Sequence, residues 1–179
     1  MRVDVNIDGF YELQKALKPE SFKKALNRTV RRMGTRFRKT AVKEVRTTYN
    51  VKAKKLKQYI SAKTHYGKDG VKWIFYVRGR PLSLIHFGAR QTRKGVSVKV
   101  RKDRGRRVIK GAFVAPDKGG HFRVFKRKGK ERLPIESKYT LSVPQMFNKE
   151  ILDKAKREVE ANYEKEFKHN LDYYLGRLK

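Results

Sequence analysis

Apolar and polar positions change their period several times along the chain, and each change marks an element. Val3, Val5 and Ile7 alternate with Arg2, Asp4 and Asn6, the two-residue period of a half-buried strand. Asp8-Gly9 reads as a turn, and residues 10–17 as a short helix ended by Lys18-Pro19. From Glu20 the period lengthens. Phe22, Leu26, Val30, Met33, Phe37, Ala41 and Val45 recur at steps of three and four, one stripe of a long helix. Pro19 suits its first position and Asn50 its end. About 30 residues at this rise give a rod of about 45 Å. Gly34 lies inside it, where glycine costs about 1 kcal/mol relative to alanine, so a close contact or a slight bend is expected there.

Residues 51–61 continue as a short basic helix or turn with Leu56, Tyr59 and Ile60 as apolar members. The middle of the chain then reads as strand. Val71, Trp73, Phe75 and Val77 alternate, while Ile74 and Tyr76 occupy the other face, so this strand is expected to be covered on both sides. Residues 81–88 form an apolar strand or buried connector between Pro81 and Gly88. Val96, Val98 and Val100 alternate with Ser97, Lys99 and Arg101, which reads as a strand with one wet face. Residues 108–115 and 121–126 read as two strands joined by a loop at residues 116–120. A second helical stripe closes the chain: Ile151, Leu152, Ala155, Val159, Tyr163, Phe167, Leu171, Tyr174, Leu175 and Leu178. Glu and Lys fill its other face, some at the i,i+4 spacing that supports helices weakly.

The order of elements is α+β. It implies an antiparallel sheet of about five to six strands, sandwich-like or half-barrel-like, packed with a long basic N-terminal helix and an amphipathic C-terminal helix. One domain over 1–179 is expected. Residues 1–19 hold the first strand and short helix, and 20–61 the long-helix region. The β region covers 62–147, with a basic loop at 90–110, and the last helix covers 148–179. No internal repeat is visible.

Charge changes this picture most. The chain of 179 residues carries a formal +31. Residues 20–144 hold 37 basic and 7 acidic residues, whereas residues 145–179 hold 8 and 7. A folded block of that charge repels itself and calls for a polyanion or acidic neighbours, nucleic acid first. The densest stretch is residues 90–110, with Arg90, Arg93, Lys94, Lys99, Arg101, Lys102, Arg104, Arg106, Arg107 and Lys110. Cations at this density track phosphates without reading base sequence; the plainer reading is a solvated loop that orders against a neighbouring subunit. The long helix is basic around most of its circumference, unlike a groove-reading helix with base contacts along one edge. Tyr59, Tyr66, Tyr76, Phe122 and Phe125 interleave with the cations. Base stacking is one reading of them, and the core of a small β structure is the better one.

Other chemistry finds little support. With no cysteine, disulfides, thiolate metal sites and a Cys nucleophile are excluded. His65, His86, His121 and His169 show no metal-ligand spacing, and His86 reads as a core or interface histidine. Acidic residues of the middle block are isolated, which disfavours a metal-dependent nuclease. Residues 117–120 lack the ending of a phosphate-binding loop, and Ser83, Ser97 and Ser142 lack a nucleophile context. No metal, cofactor or enzymatic activity is expected. Neither a membrane-spanning run nor a signal-peptide core is present in the sequence.

Three words in order carry a resemblance: SLIHFGARQTRKGVSVKVRK at residues 83–102, VIKGAFVA at 108–115, and VFKRKGKERLPIESKYTLSVPQMF at 124–147. They resemble the prophage minor tail protein Z family, tail-completion proteins of long, non-contractile-tailed phages. The likeness is strongest over residues 82–147. It departs at Tyr139-Thr140-Leu141-Ser142, where the family leads one to expect a Gly-Pro-Ser turn.

The resemblance implies a structural virion protein, made in the host cytoplasm and placed in the head-proximal neck, where tail joins head. It further implies a ring of about six copies around the DNA channel. The implied partners are itself, the tail terminator or tail tube, head connector proteins and genomic DNA, with no membrane and no small-molecule ligand. Two segments carry over: the basic loop at 90–110, and an assembly arm containing Arg132, Leu133, Pro134, Ile135, Val143, Pro144, Met146 and Phe147. Its prolines suit an extended strap laid on another surface. Reversing Arg101, Arg104, Arg106 and Arg107 is then expected to impair DNA retention or ejection more than folding. The alternative is a free, non-sequence-specific nucleic-acid-binding protein, which would hold duplex or RNA as a monomer with steep salt dependence.

Overall fold

A computed structural model describes residues 2–5, 19–67 and 70–176. The expected turn at Asp8-Gly9, the short helix at 10–17, Ile7 and Leu178 lie outside them. The class is α+β. Four helices, α1 (Pro19–Thr48), α2 (Ala53–Lys57), α3 (Val143–Met146) and α4 (Lys149–Gly176), accompany eleven strands among the described residues. The strands form four small antiparallel sheets instead of one sheet of five or six. Many are only three or four residues long, too short for alternation to show in a sequence. The chain resolves into two compact units, each made of separate stretches.

The first unit holds residues 1–41, 60–77 and 149–179. Its sheet has the order β1-β3-β2, with β1 (Arg2–Val5), β2 (Ile60–Gly67) and β3 (Gly70–Val77). The central strand β3 is buried on both faces as expected, at Trp73, Phe75 and Val77 on one and Ile74 on the other. The α1 stripe supplies its cover. Phe37 meets Trp73 edge-on at 5.8 Å and Phe75 at 5.3 Å between ring centroids. Helix α4 packs on α1 within the same unit. Phe22 meets Phe167 edge-on at 5.7 Å, and Leu26, Tyr163, Leu171 and Tyr174 close around them. Deeper in, buried Asn170 donates from Nδ2 to Thr29 Oγ1 at 2.9 Å, and that hydroxyl donates to the Ala25 carbonyl at 2.9 Å.

Gly34 is the close contact that the sequence signalled. A Cβ there would stand 2.3 Å from Trp73 Cε2, and Trp73 is itself held by Phe37 and Phe75. Gly34→Ala is therefore expected to destabilise. Overpacking costs about 1–3 kcal/mol, more than the propensity gain of about 1 kcal/mol offsets. The urea midpoint should fall with the slope unchanged; a midpoint that rises would show that the indole has room to retreat.

The second unit holds residues 42–59 and 78–148. Here β4 (Pro81–Ser83) pairs with β11 (Tyr139–Ser142). A meander is formed by β5 (Arg90–Thr92), β6 (Gly95–Val98) and β7 (Arg107–Lys110). The third sheet holds β8 (Ala112–Pro116), β9 (Phe122–Arg127) and β10 (Ile135–Ser137). Residues 81–88 are half strand, half 3-10 turn (Leu84–Phe87). What read as one strand at 108–115 is two, because Gly111 takes φ +70° between β7 and β8, a left-handed conformation that glycine tolerates without strain. Leu56, Phe87, Val96, Val124, Val143, Met146 and Phe147 are the buried centre of this unit.

Candidate nucleic-acid and assembly surface

The meander sets ten cations around a short apolar ribbon. Strand β6 is buried on both faces, Ser97 as well as Val96 and Val98, so the expected wet face is absent because the strand ends before Lys99. Gly95 allows β6 to run tight against β7, since a Cβ there would lie 2.1 Å from the Ile109 carbonyl oxygen. Arg90 stands on β5, Arg93 and Lys94 in the β5–β6 turn, and Arg107 and Lys110 on β7, all exposed. Lys99, Arg101, Lys102, Arg104 and Arg106 occupy the β6–β7 loop.

That loop is tied to the end of α1 within its own unit. Asn50 donates its backbone N–H to the Val100 carbonyl at 2.9 Å, Lys102 donates to the Thr48 carbonyl at 2.8 Å, and Tyr49 bridges Arg101. Ordering against a neighbouring subunit is one of the two readings of the sequence; the fold also supplies these partners from within the chain.

Two of the ten cations are occupied. Arg101 forks onto Asp103 at 2.8 and 3.0 Å and lies over the Tyr49 ring at 5.6 Å. The guanidinium of Arg101 holds the Asp103 carboxyl below the usual carboxylate range. Arg106 donates to Ser97 Oγ at 3.0 Å, to the Ser97 carbonyl at 3.0 Å and to the Gly88 carbonyl at 2.6 Å. These two arginines fasten the loop, whereas Arg104 and Arg107 make no such ties. Arg93, Lys94, Lys102, Arg104 and Arg107 are exposed, with no ion pair among the described residues. Asp103 is the sole acid in residues 90–110, so the surface is cationic almost without relief.

The long helix behaves otherwise. Arg32 pairs with Glu166 and Arg36 with Glu158 at 3.3 Å, both carboxylates coming from α4. Arg31 donates to Tyr66 Oη at 2.6 Å, and Arg28 stacks 4.8 Å from the Tyr173 ring centroid. Exposed pairs of this kind contribute only about 0–1 kcal/mol each, but they answer part of the helix's charge from within the chain. Tyr66 is accordingly a surface partner of arginine and not core, and Phe122 is also exposed.

The expected arm divides. Arg132, Leu133, Pro134 and Ile135 are exposed at the β9–β10 turn and the start of β10. There Arg127 donates to the Arg132 carbonyl, and Lys128 donates its N–H to the Pro134 carbonyl at 3.1 Å. Glu136 lies between Lys128 and Lys138 at 3.0 and 3.1 Å, and both hold its carboxyl below the usual range. Val143, Met146 and Phe147, by contrast, are interior. Pro144 does not lie in an extended strap: it sits in the first turn of α3, where a missing N–H leaves no bond unmade. Ser142 caps that turn, its N–H donating to Gln145 Oε1 at 2.8 Å. The departure at residues 139–142 is thus strand β11 running into a helix cap.

Among the described residues, no three of His, Asp and Glu gather as metal ligands, and no helix is long and apolar enough to cross a membrane. The family described as Prophage minor tail protein Z (GPZ) matches residues 3–178, nearly the whole chain. No curated protein and no solved structure matches.

Proposed function

The chain belongs to the prophage minor tail protein Z family, and from that premise we propose that it completes the tail at its head-proximal end, as a ring whose cationic meander faces the DNA channel. As a family member it is a structural component of the phage tail. The observation that supports the finer reading is the meander: exposed arginines and lysines on a ribbon anchored by Arg101, Arg106 and Asn50. A fixed array of cations holds a phosphate backbone without sequence preference. In a ring those arrays would converge, and screening over about 8 Å at physiological salt would not hide them from DNA in a confined lumen. Exposed Leu133 and Ile135 suit contact with a neck neighbour or a second copy.

The test is assembly without this chain. Heads filled with DNA and tails of normal length should both accumulate, and adding the purified chain should restore joined particles. If joined, infectious particles form in its absence, tail completion is the wrong role. Tight binding of duplex as a monomer, with no incorporation into tails, would favour the free nucleic-acid-binding alternative.

A further inference from the structure

The second unit contains a pocket of about 470 Å³, within the size range of small-ligand sites and separate from the meander's cations. It is built by α2, the residues entering β4, the 3-10 turn and the β8–β9 hairpin. Lys55, Arg80 and Arg123 bring positive charge to it, and His86 and His121 bring imidazoles. The rings of Tyr59, Phe122 and Tyr139 form its apolar wall. Phe122 is 62% exposed, so its ring is open to stacking.

Local geometry fixes these groups. Lys55 Nζ lies 5.5 Å from the Tyr59 ring centroid, and that ring packs so closely on the backbone that a Cβ at Gly79 would be 2.7 Å from Tyr59 Cδ1. Arg123 is aimed by Asp117 at 2.6 Å and by the Tyr139 hydroxyl at 2.6 Å. The Asp117 carboxylate also accepts the N–H groups of Gly119 and His121 at 2.9 Å each, so the acid beside the pocket is already engaged. Arg80 is exposed, with no ion pair among the described residues. Ser83 also lines the pocket, at 7% exposure, with its Oγ closed to solvent.

We propose that this pocket binds a nucleotide unit, with its phosphate between Arg80 and Lys55 and its base against Phe122 and Tyr59. Cations alone would accept any oxyanion; the aromatic wall is what selects a phosphate carrying a flat ring. Burial, with added repulsion from Lys55 and Arg123, holds the His86 imidazole below its usual range. A bound phosphate facing Lys55, Arg80, His86, His121 and Arg123 would reverse part of that and raise the titration of His86. The sequence by itself points to no small-molecule ligand, because the lining residues are scattered from 55 to 139 and meet only in the fold.

Titrating the full chain with thymidine monophosphate and following the histidine resonances by NMR tests this. Saturable shifts at His86 and His121 are expected, with the His86 titration moved upward. Inorganic phosphate should bind about tenfold more weakly or worse. Arg80→Gln and Phe122→Ala, both at exposed positions, should each weaken the nucleotide by about tenfold. Arg93→Glu with Lys94→Glu should leave it unchanged, which keeps this result separate from the role of the meander. Equal binding of phosphate and nucleotide, tighter binding of an acidic tripeptide, or wild-type affinity in Arg80→Gln would each overturn the assignment.

Discussion

Reversing Arg93, Lys94, Arg104 and Arg107 together to Glu is expected to weaken duplex binding by about 10²–10³-fold at physiological salt. It should also make the log–log salt slope shallower by about 3–4, one unit or slightly less for each phosphate that is no longer neutralised. All four side chains are exposed and outside the loop's hydrogen-bond ties, so unfolding stability should change by no more than about 0.5 kcal/mol per site. Reversing Arg101 and Arg106 should act the other way round. Arg106 satisfies two backbone carbonyls and a hydroxyl, and a carboxylate there would leave those acceptors facing like charge. Stability should then fall before DNA affinity can be measured cleanly. Equal effects of the two sets on stability, or an unchanged salt slope in the fourfold variant, would show that the meander is not the phosphate-tracking surface.

Phe37→Ala carries the largest expected loss of stability, about 3–5 kcal/mol. The Phe37 ring is 1% exposed and touches both Trp73 and Phe75 edge-on. Its removal opens a hole between α1 and β3 that the stacked Trp73–Phe75 pair can fill only by leaving its own neighbours. Against a total stability of about 5–15 kcal/mol for a domain, that is a large share. Phe37→Leu keeps most of the volume and should cost far less. Urea unfolding of both variants reads the difference directly. A loss below about 1 kcal/mol for Phe37→Ala would mean that the α1–β3 packing is not the centre of the first unit.

The parts of the fold that are legible in the sequence are those with long, regular periods. Helix α1 carries its apolar stripe through 30 residues, and β3 alternates among large side chains. Strand β2 is hidden because Ser61, Lys63 and His65 alternate with Ala62, Thr64 and Tyr66, a weak contrast in hydropathy. The four-residue helix α3 is hidden by Pro144, which reads as extended unless the Ser142–Gln145 cap is recognised. Val143, Met146 and Phe147 do fall at i, i+3 and i+4, a helical spacing that marks them as core and not as a contact strap.

At the surface the same limit holds. Density of charge in residues 90–110 is plain from the sequence. Which cations fasten the loop is not, because the acceptors of Arg106 are two main-chain carbonyls and a serine brought near by strand pairing. The partner of α4 is legible only in outline: its near-neutral composition suits packing, while Glu158 and Glu166 meet Arg36 and Arg32 across more than a hundred residues of chain.

Electron cryomicroscopy of the joined neck, at a resolution that separates side chains, tests the central claim most directly. The expected density places this chain in a closed ring at the head-proximal end of the tail. Arg93, Lys94, Arg104 and Arg107 should point into the lumen, toward DNA. A ring with those four residues on its outer wall, or a tail whose neck lacks this chain, would contradict it.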